Sequence, residues 1–130
     1  MRVATLSILL TKYVFKVNDL EAVYVQADDN LNSIADRYRK NPKKLFCYNE
    51  LKGRSLKVGQ YVFLEKKNNF YKNQNPKKST KVHILRKGQS MYDVAQLYGL
   101  KLRKLYYFNK AYRNVVPDAG AQIYLTRHKK

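Results

Sequence analysis

The second half of the chain repeats the pattern of the first half at a constant offset of 60 residues. The stretches "DNLNSIADRYR" and "QSMYDVAQLYG" align without a gap, and the alignment continues to Asn49 and Asn109. After one extra residue in the second copy, it also pairs Gly59 with Gly120. Two unrelated helices can share an apolar period, but they rarely share an Asn and a Gly in step as well. The sequence therefore predicts a unit of about 45 residues that occurs twice.

Each copy predicts the order strand, helix, helix, strand. The runs "AVYVQ" and "KVHILR" begin the copies, and "YVFL" and "QIYL" end them, with residue types that strands favour. Between them, apolar residues recur at the spacing of one helix face, with helices expected to begin near Asn30, Asn41, Ser90 and Leu100. Asn49 and Asn109 match in the alignment. Each is expected to close the second helix of its copy through side-chain bonds to the backbone. The predicted fold class is α+β: two βααβ units, each a two-stranded antiparallel sheet with two helices on one face.

The repeat divides the chain into five segments. Residues 1–22 form a strand-rich N-terminal extension, which we expect to pack on the fold because "YVFKV" is too apolar for a solvated tail. Residues 23–65 are the first unit and 82–126 the second. Between them, residues 66–81 are polar, basic and rich in Asn, which predicts a linker. Residues 127–130 are a basic tail.

The chain carries 27 Lys and Arg against 9 Asp and Glu, a formal net charge of +18. The excess of positive charge lies mainly after residue 65, where the sequence has 16 Lys and Arg residues and only two acidic residues, Asp93 and Asp118. Such a surface favours polyanions, namely nucleic acid, anionic lipid or an acidic cell-wall polymer, without choosing among them.

No run approaches the roughly 20 apolar residues of a membrane-spanning helix. The N-terminal stretch imitates a signal peptide only weakly, since it has no clear small-residue cleavage site.

Few residues suggest catalytic or metal chemistry. Cys47 is the only cysteine, so no intrachain disulfide can form, and its apolar neighbours predict a buried, inert thiol. His83 and His128 lie far apart in the sequence, so we predict no metal and no cofactor. Asp28 and Asp29 are adjacent in a turn, whereas a glycosidase holds two carboxyl groups about 5 to 9.5 Å apart across a cleft. We therefore predict that the chain is not an enzyme.

Both copies resemble lysin motif (LysM) domains. The first copy carries "ADDNLNSIADRYR", "PKKLFCYNEL" and "VGQYVFL", and the second carries "KGQSMYDVAQLYG", "LRKLYYFN" and "AGAQIYL". The pair is similar to the tandem LysM regions attached to bacterial cell-wall hydrolases, the glucosaminidases and amidases. The resemblance implies a non-catalytic module that binds N-acetylglucosamine-containing polymers, either peptidoglycan or a chitin-like glycan. It also implies a place in the cell envelope, periplasmic or extracellular, and a cell-wall hydrolase as attached domain or partner.

In this family the sugar lies in a shallow groove between the turn after the first strand and the loop before the last strand. The resemblance therefore implies two sets of ligand-binding residues. They are Asp28, Asp29, Asn30 and Leu31 facing Leu51, Lys52, Gly53 and Leu56 in the first copy, and Gly88, Gln89, Ser90 and Met91 facing Ala111, Tyr112, Arg113 and Val115 in the second.

The same residues also have a purely structural interpretation. Leu31, Leu56 and Met91 suit core positions, and the polar members suit turn and cap positions. Two positions depart from the family pattern, since Asp28 stands where the family has Gly and Gln89 stands where it has Asp. Asp adopts left-handed backbone geometry more readily than most residues, so the first turn can still form.

Two other functions remain open at this stage. A basic surface in a chain with 12 Tyr suits nucleic acid, whose bases stack on aromatic rings. A steep dependence of affinity on salt would favour that interpretation. A cell-envelope assembly or interaction module would leave both grooves empty of sugar.

Overall fold

A computed structural model describes residues 14–72 and 82–126 of the chain. The chain divides into two compact units, and the division falls between Lys67 and Asn68. Most of the predicted linker and the whole predicted basic tail lie outside the described residues. None of the described helices has the length and apolar content that crossing a bilayer requires.

The first unit combines one sheet with two short helices. Its elements are β1 (Phe15–Val17), β2 (Leu20–Tyr24), α1 (Leu31–Arg37), α2 (Pro42–Tyr48) and β3 (Tyr61–Phe63). β2 pairs antiparallel with β1 on one side and with β3 on the other. The sheet therefore has three strands, and the prediction of a two-stranded sheet is wrong for this unit.

A tight hairpin accounts for the third strand. Asn18 and Asp19 join β1 to β2, and both have positive φ angles, 53° and 65°. A two-residue turn with both φ values positive matches the twist of a hairpin, and Asn and Asp are among the residues that tolerate it. The turn sets the register in which Val17 pairs with Leu20 and Phe15 with Ala22. The predicted boundary after residue 22 consequently falls inside β2.

Both faces of this sheet are apolar. The face that meets the helices contributes to a buried cluster of Val23, Val25, Ile34, Ala35, Leu45, Val62 and Leu64. Successive side chains in a strand point to opposite faces. A second cluster of Leu20, Ala22 and Phe63, with Phe15, Val17 and Tyr61 packed against it, therefore lies on the other face. β1 supplies two of its members, which explains why the hairpin is part of the unit.

The second unit has a two-stranded sheet among the residues that the structure describes. Its elements are β4 (Val82–Ile84), α3 (Met91–Tyr98), α4 (Leu102–Phe108), a 3₁₀ turn (Lys110–Tyr112) and β5 (Gln122–Tyr124). β4 and β5 pair antiparallel. The core cluster consists of Leu85, Met91, Val94, Ala95, Leu100, Leu105, Ile123 and Leu125. The order is thus strand, helix, helix, strand, with a 3₁₀ turn after the second helix.

The helices begin at or close to the predicted positions. Asn30, Asn41 and Ser90 are N-cap residues, and the side chain of each accepts a hydrogen bond from the backbone of its helix. The fourth helix begins at Leu102, close to the predicted start near Leu100, and Leu100 itself is fully buried in the core. Gly99 precedes it with a left-handed φ of 69°, which ends α3 and turns the chain inward.

A buried Asn joins the second helix to the last strand in each unit. Asn49 Nδ2 donates to the carbonyl oxygens of Leu45 and Phe63, both at 2.9 Å, and its Oδ1 accepts the Phe63 N–H at 2.7 Å. The bond to Leu45 closes α2, as the sequence predicts. The two bonds to Phe63 were not expected, and they fix β3 against the end of the helix.

Asn109 makes the same three bonds in the second unit. Its Nδ2 donates to the carbonyl oxygens of Leu105 and Tyr124, and its Oδ1 accepts the Tyr124 N–H, each at 2.8 Å. Asn49 and Asn109 are 0% and 5% exposed, so water does not offer these groups an alternative partner.

The first part of the predicted linker contacts the two units. Lys67 is buried in the first unit, where its Nζ pairs with Glu50. Burial lowers the pKa of Lys67, and the attraction of Glu50 opposes that change. In the second unit, the N–H of Asn68 donates to the carbonyl of Gly99, and the N–H of Tyr71 donates to that of Leu125. Lys67 therefore belongs to the first unit, and Asn68 and Tyr71 belong to the second.

We predict that Asn109→Ala destabilises the protein by about 2–3 kcal/mol, because it leaves a buried N–H and buried carbonyl groups unpaired. The same loss is expected for Asn49→Ala. Urea unfolding followed by far-UV circular dichroism measures the change. Asn114→Ala is the matched control, since Asn114 is an exposed loop residue. Variants as stable as this control would show that the Asn side chains do not hold the strand.

Candidate functional site

Each predicted groove begins with the turn after the first strand of its copy. In the first unit the N–H of Asp29 donates to the Gln26 carbonyl at 3.0 Å, and Asp29 Oδ2 accepts the Gln26 N–H at 2.9 Å. Asp28 lies between them with a φ of 71°, in the left-handed region. The turn that the family builds with Gly thus forms here with Asp, as the sequence analysis expected.

The second turn has the same bonds with a neutral side chain. The N–H of Gln89 donates to the Arg86 carbonyl at 3.0 Å, and Gln89 Oε1 accepts the Arg86 N–H at 2.9 Å. Gly88 has a φ of 84°. Gln89 therefore removes the charge of the usual Asp without removing the bond that closes the turn.

The side chain of Asp29 is bonded to residues of its own unit. Its Oδ1 pairs with Arg37 Nη2 at 2.9 Å, and only 5% of its side chain is exposed. Burial alone raises the pKa of Asp29, but the hydrogen bond from Arg37 and the one from the Gln26 N–H outweigh it, so the pKa lies below its usual value. The carboxylate is thus ionised and bonded near neutral pH, which favours the structural interpretation of this residue.

A buried histidine holds the second turn. His83 is 8% exposed, and its Nε2 lies 2.9 Å from Gln89 Oε1 while its Nδ1 lies 2.8 Å from the Tyr98 hydroxyl. Since Gln89 Oε1 can only accept, we assign the hydrogen to Nε2, and the Tyr98 hydroxyl then donates to Nδ1. Burial raises the pKa of Tyr98. This positioning role of His83 was not predicted. Its only signal in the sequence is a polar ring at a core position of "KVHILR".

The polar residues that follow the turns cap the helices. Asn30 Oδ1 accepts the Ser33 N–H at 2.8 Å, and Ser33 Oγ accepts the Asn30 N–H at 3.0 Å. Ser90 and Asp93 exchange the equivalent bonds in the second unit at 3.1 and 2.8 Å. These capping boxes satisfy free N–H groups of the helix start. The side chains of Asn30 and Ser90 therefore already have structural partners.

Several apolar residues of the predicted grooves pack into the cores of their units. Leu31 and Leu56 are half-buried against the core of the first unit, and Tyr112 is half-buried against that of the second. Met91 and Leu51 are 4% exposed and belong to the interior. The residues that stay exposed are Asp28, Asn30, Lys52, Gly53, Gly88, Ser90, Ala111, Arg113 and Val115.

Backbone bonds bring the predicted turns next to the last strands. The N–H of Gly59 donates to the Val25 carbonyl, and the N–H of Gly120 donates to the Leu85 carbonyl, both at 2.8 Å. Each bond joins the end of the first strand to the start of the last one. The turn after the first strand and the residues directly before the last strand thus lie at the same end of the sheet in each unit.

Across the described residues, no group of three or more His, Cys, Asp or Glu side chains could hold a metal ion. Cys47 is exposed, so the prediction of a buried thiol is wrong. It lies two residues after the fully buried Leu45 on α2, which turns it toward the opposite side of the helix.

Solved structures that are similar to this chain include two spore cortex-lytic enzymes. SleL of Bacillus cereus is 24% identical with a TM-score of 0.33, and the match covers 85% of this chain and 23% of that enzyme. SleL of Bacillus megaterium QM B1551 is 18% identical with a TM-score of 0.33, and the match covers 84% of this chain and 23% of that enzyme. The chain thus spans less than a quarter of the length of either enzyme.

No curated protein sequence matches the chain. Residues 23–64, however, match the family model of the LysM domain. This segment begins inside β2 and extends one residue past β3, and it contains the first turn, both helices and the loop that follows them. The match confirms the resemblance for the first copy, and residues 23–64 are therefore a LysM domain.

Proposed function

We propose that the chain is a non-catalytic carbohydrate-binding module that recognises N-acetylglucosamine-containing polymers, with bacterial peptidoglycan as its target. The observation that carries this proposal is the LysM domain at residues 23–64. LysM domains are generally modules that bind peptidoglycan or related N-acetylglucosamine polymers, and they typically occur in cell-envelope or extracellular proteins. The proposed location is accordingly the cell envelope.

The second unit is, in this proposal, a second LysM-like module. Its elements follow the order of the first, and Asn109 makes the three bonds that Asn49 makes. Its turn also has the backbone bond and the side-chain bond of the first turn, with Gln89 in the place of Asp29. Such agreement in buried polar contacts supports a duplicated unit better than agreement in helix number does.

Recognition in this proposal depends on backbone groups and loop side chains. The side chains of Asp29, Asn30 and Ser90 are engaged within the turns and caps. An acetamido group offers one donor and one acceptor, which exposed turn N–H and carbonyl groups can match. Its methyl group then needs an apolar contact, which Leu56 can provide in the first unit and Val115 in the second.

The charged groups of the first unit support binding over catalysis. Asp29 is paired with Arg37 and Glu50 with Lys67. These two carboxylates are thus each tied to a cation of their own unit. Cleavage of the polymer is assigned to a cell-wall hydrolase, acting as an attached domain or a separate partner.

We predict that the full chain co-sediments with insoluble peptidoglycan and with chitin. A shallow groove makes few hydrogen bonds, each worth about 0.5–1.5 kcal/mol, so a dissociation constant of about 10 μM to 1 mM is expected for short oligomers. Single-stranded nucleic acid serves as the control. Binding to nucleic acid alone, with a steep dependence on salt, would replace this proposal with a nucleic-acid-binding function.

We predict that Val115→Asn weakens binding of an N-acetylglucosamine oligomer by about 3- to 10-fold, because it removes an apolar contact of about 1 kcal/mol. Val115 is 61% exposed, so the fold should be unaffected. Val58→Asn is the matched control, since Val58 is a 71% exposed valine outside the predicted grooves. Titration calorimetry measures both. An unchanged affinity for Val115→Asn would remove the second groove from the proposed site.

A further inference from the structure

The second unit contains an open cavity of about 410 Å³ between the 3₁₀ turn and β5. This size lies within the range of small-ligand pockets. Ala111 and Tyr112 belong both to the cavity wall and to the predicted groove, so the cavity adjoins the groove along the 3₁₀ turn. The full set of lining residues is Phe108, Asn109, Lys110, Ala111, Tyr112, Gln122 and Tyr124.

The walls combine aromatic carbon with two polar side chains. Phe108, Tyr112 and Tyr124 are half-buried, which leaves part of each side chain accessible to a ligand. Lys110 and Gln122 are exposed and supply an ammonium group and an amide. The Asn109 side chain already makes its three backbone bonds, so it forms part of the cavity wall and is not expected to bind a ligand.

The charge beside this cavity is one-sided. Residues 101–117 contain five Lys and Arg and no Asp or Glu. The ammonium groups of Lys104 and Lys110 lie 5.7 and 5.1 Å from the centroid of the Tyr107 ring, which attracts cations. Among the residues described, neither lysine pairs with a carboxylate. A neutral sugar polymer would gain little from this charge, whereas an anionic group would be attracted to it.

The first unit lacks this arrangement. Glu50 occupies the position that corresponds to Lys110 in the 60-residue alignment, and it pairs with Lys67. Cys47 occupies the position of Tyr107. The cationic cavity is therefore a property of the second unit and not of the shared βααβ pattern.

We propose that this cavity is a second subsite, which binds a carboxylate-bearing part of the polymer while the groove holds an N-acetylglucosamine ring. Lys110 recognises the carboxylate, and the aromatic walls contact the apolar atoms beside it. This inference rests on the proposed function and adds a preference for peptidoglycan over chitin. Peptidoglycan carries carboxylates on its peptides, and on its acidic sugar wherever no peptide is attached, whereas chitin carries none.

The test compares Lys110→Gln with wild type in the full chain. Three soluble oligomers of equal length are titrated: a peptide-bearing peptidoglycan fragment, the same fragment without peptides, and a chitin oligomer. At low salt, Lys110→Gln should bind the peptide-bearing fragment about 3- to 5-fold more weakly, as expected for one exposed charge pair. Its affinity for chitin should not change, and about 0.5 M salt should reduce the difference.

The source of the carboxylate follows from the second fragment. A loss with peptides assigns a peptide carboxylate, and a loss only without peptides assigns the carboxyl group of the acidic sugar, which is amide-linked to the peptide wherever one is attached. Lys43→Gln is the matched control, because it removes one exposed Lys from the first unit. It should bind all three oligomers as wild type does.

Three results would overturn the inference. Equal affinity of Lys110→Gln and wild type for both peptidoglycan fragments would remove Lys110 from recognition while leaving the proposed function intact. A similar loss on chitin would show that the substitution damages the groove, so that the loss of affinity would not result from the lost charge. Failure of the wild-type chain to bind any of the three oligomers would refute the proposed function together with this inference.

Discussion

The structure of each unit depends on one buried side chain, Asn49 in the first and Asn109 in the second. A helix of seven residues leaves carbonyl groups unpaired at its end, and a three-residue strand has little backbone bonding of its own. One amide solves both problems, since it donates to the helix carbonyl and bonds both backbone groups of a residue in the last strand. The last strand is thereby fixed in position, and the end of the sheet that carries the turns is fixed with it.

This dependence explains why so many polar residues of the predicted grooves have structural partners. In units this small, turns and helix starts must satisfy their own N–H groups, and Asp29, Asn30 and Ser90 do so. In the proposed function, a ligand therefore contacts backbone groups of the turns, together with exposed loop residues such as Val115. A binding surface made of a fixed backbone loses little conformational entropy when it binds, which suits weak contacts to sugar amides.

The helix caps could be predicted from the sequence because they depend on local spacing. The third strand of the first unit was missed, although Asn18 and Asp19 between apolar runs are a hairpin signal that could have been recognised. The bonds from Asn49 to Phe63 span 14 residues, and nothing in local periodicity indicates a partner at that distance. The cavity was missed for the same reason, because its walls come from residues 108–112 and from Gln122 and Tyr124, which are separated in the sequence.

The residue that follows the Asn differs between the two units, although the Asn makes the same three bonds in both. The residues that match in the alignment and share a structural role, such as Asn49 and Asn109, make the bonds on which the strands depend. Glu50 and Lys110 follow them directly, at the helix end, where neither is required for those bonds. Glu50 pairs with the buried Lys67 at the end of the first unit, whereas the Lys110 ammonium group lies 5.1 Å from the centroid of the Tyr107 ring. The position after the Asn therefore carries opposite charges in the two units while the Asn makes the same three bonds, and in the proposed function this difference gives the second unit a cation where the first has an ion pair.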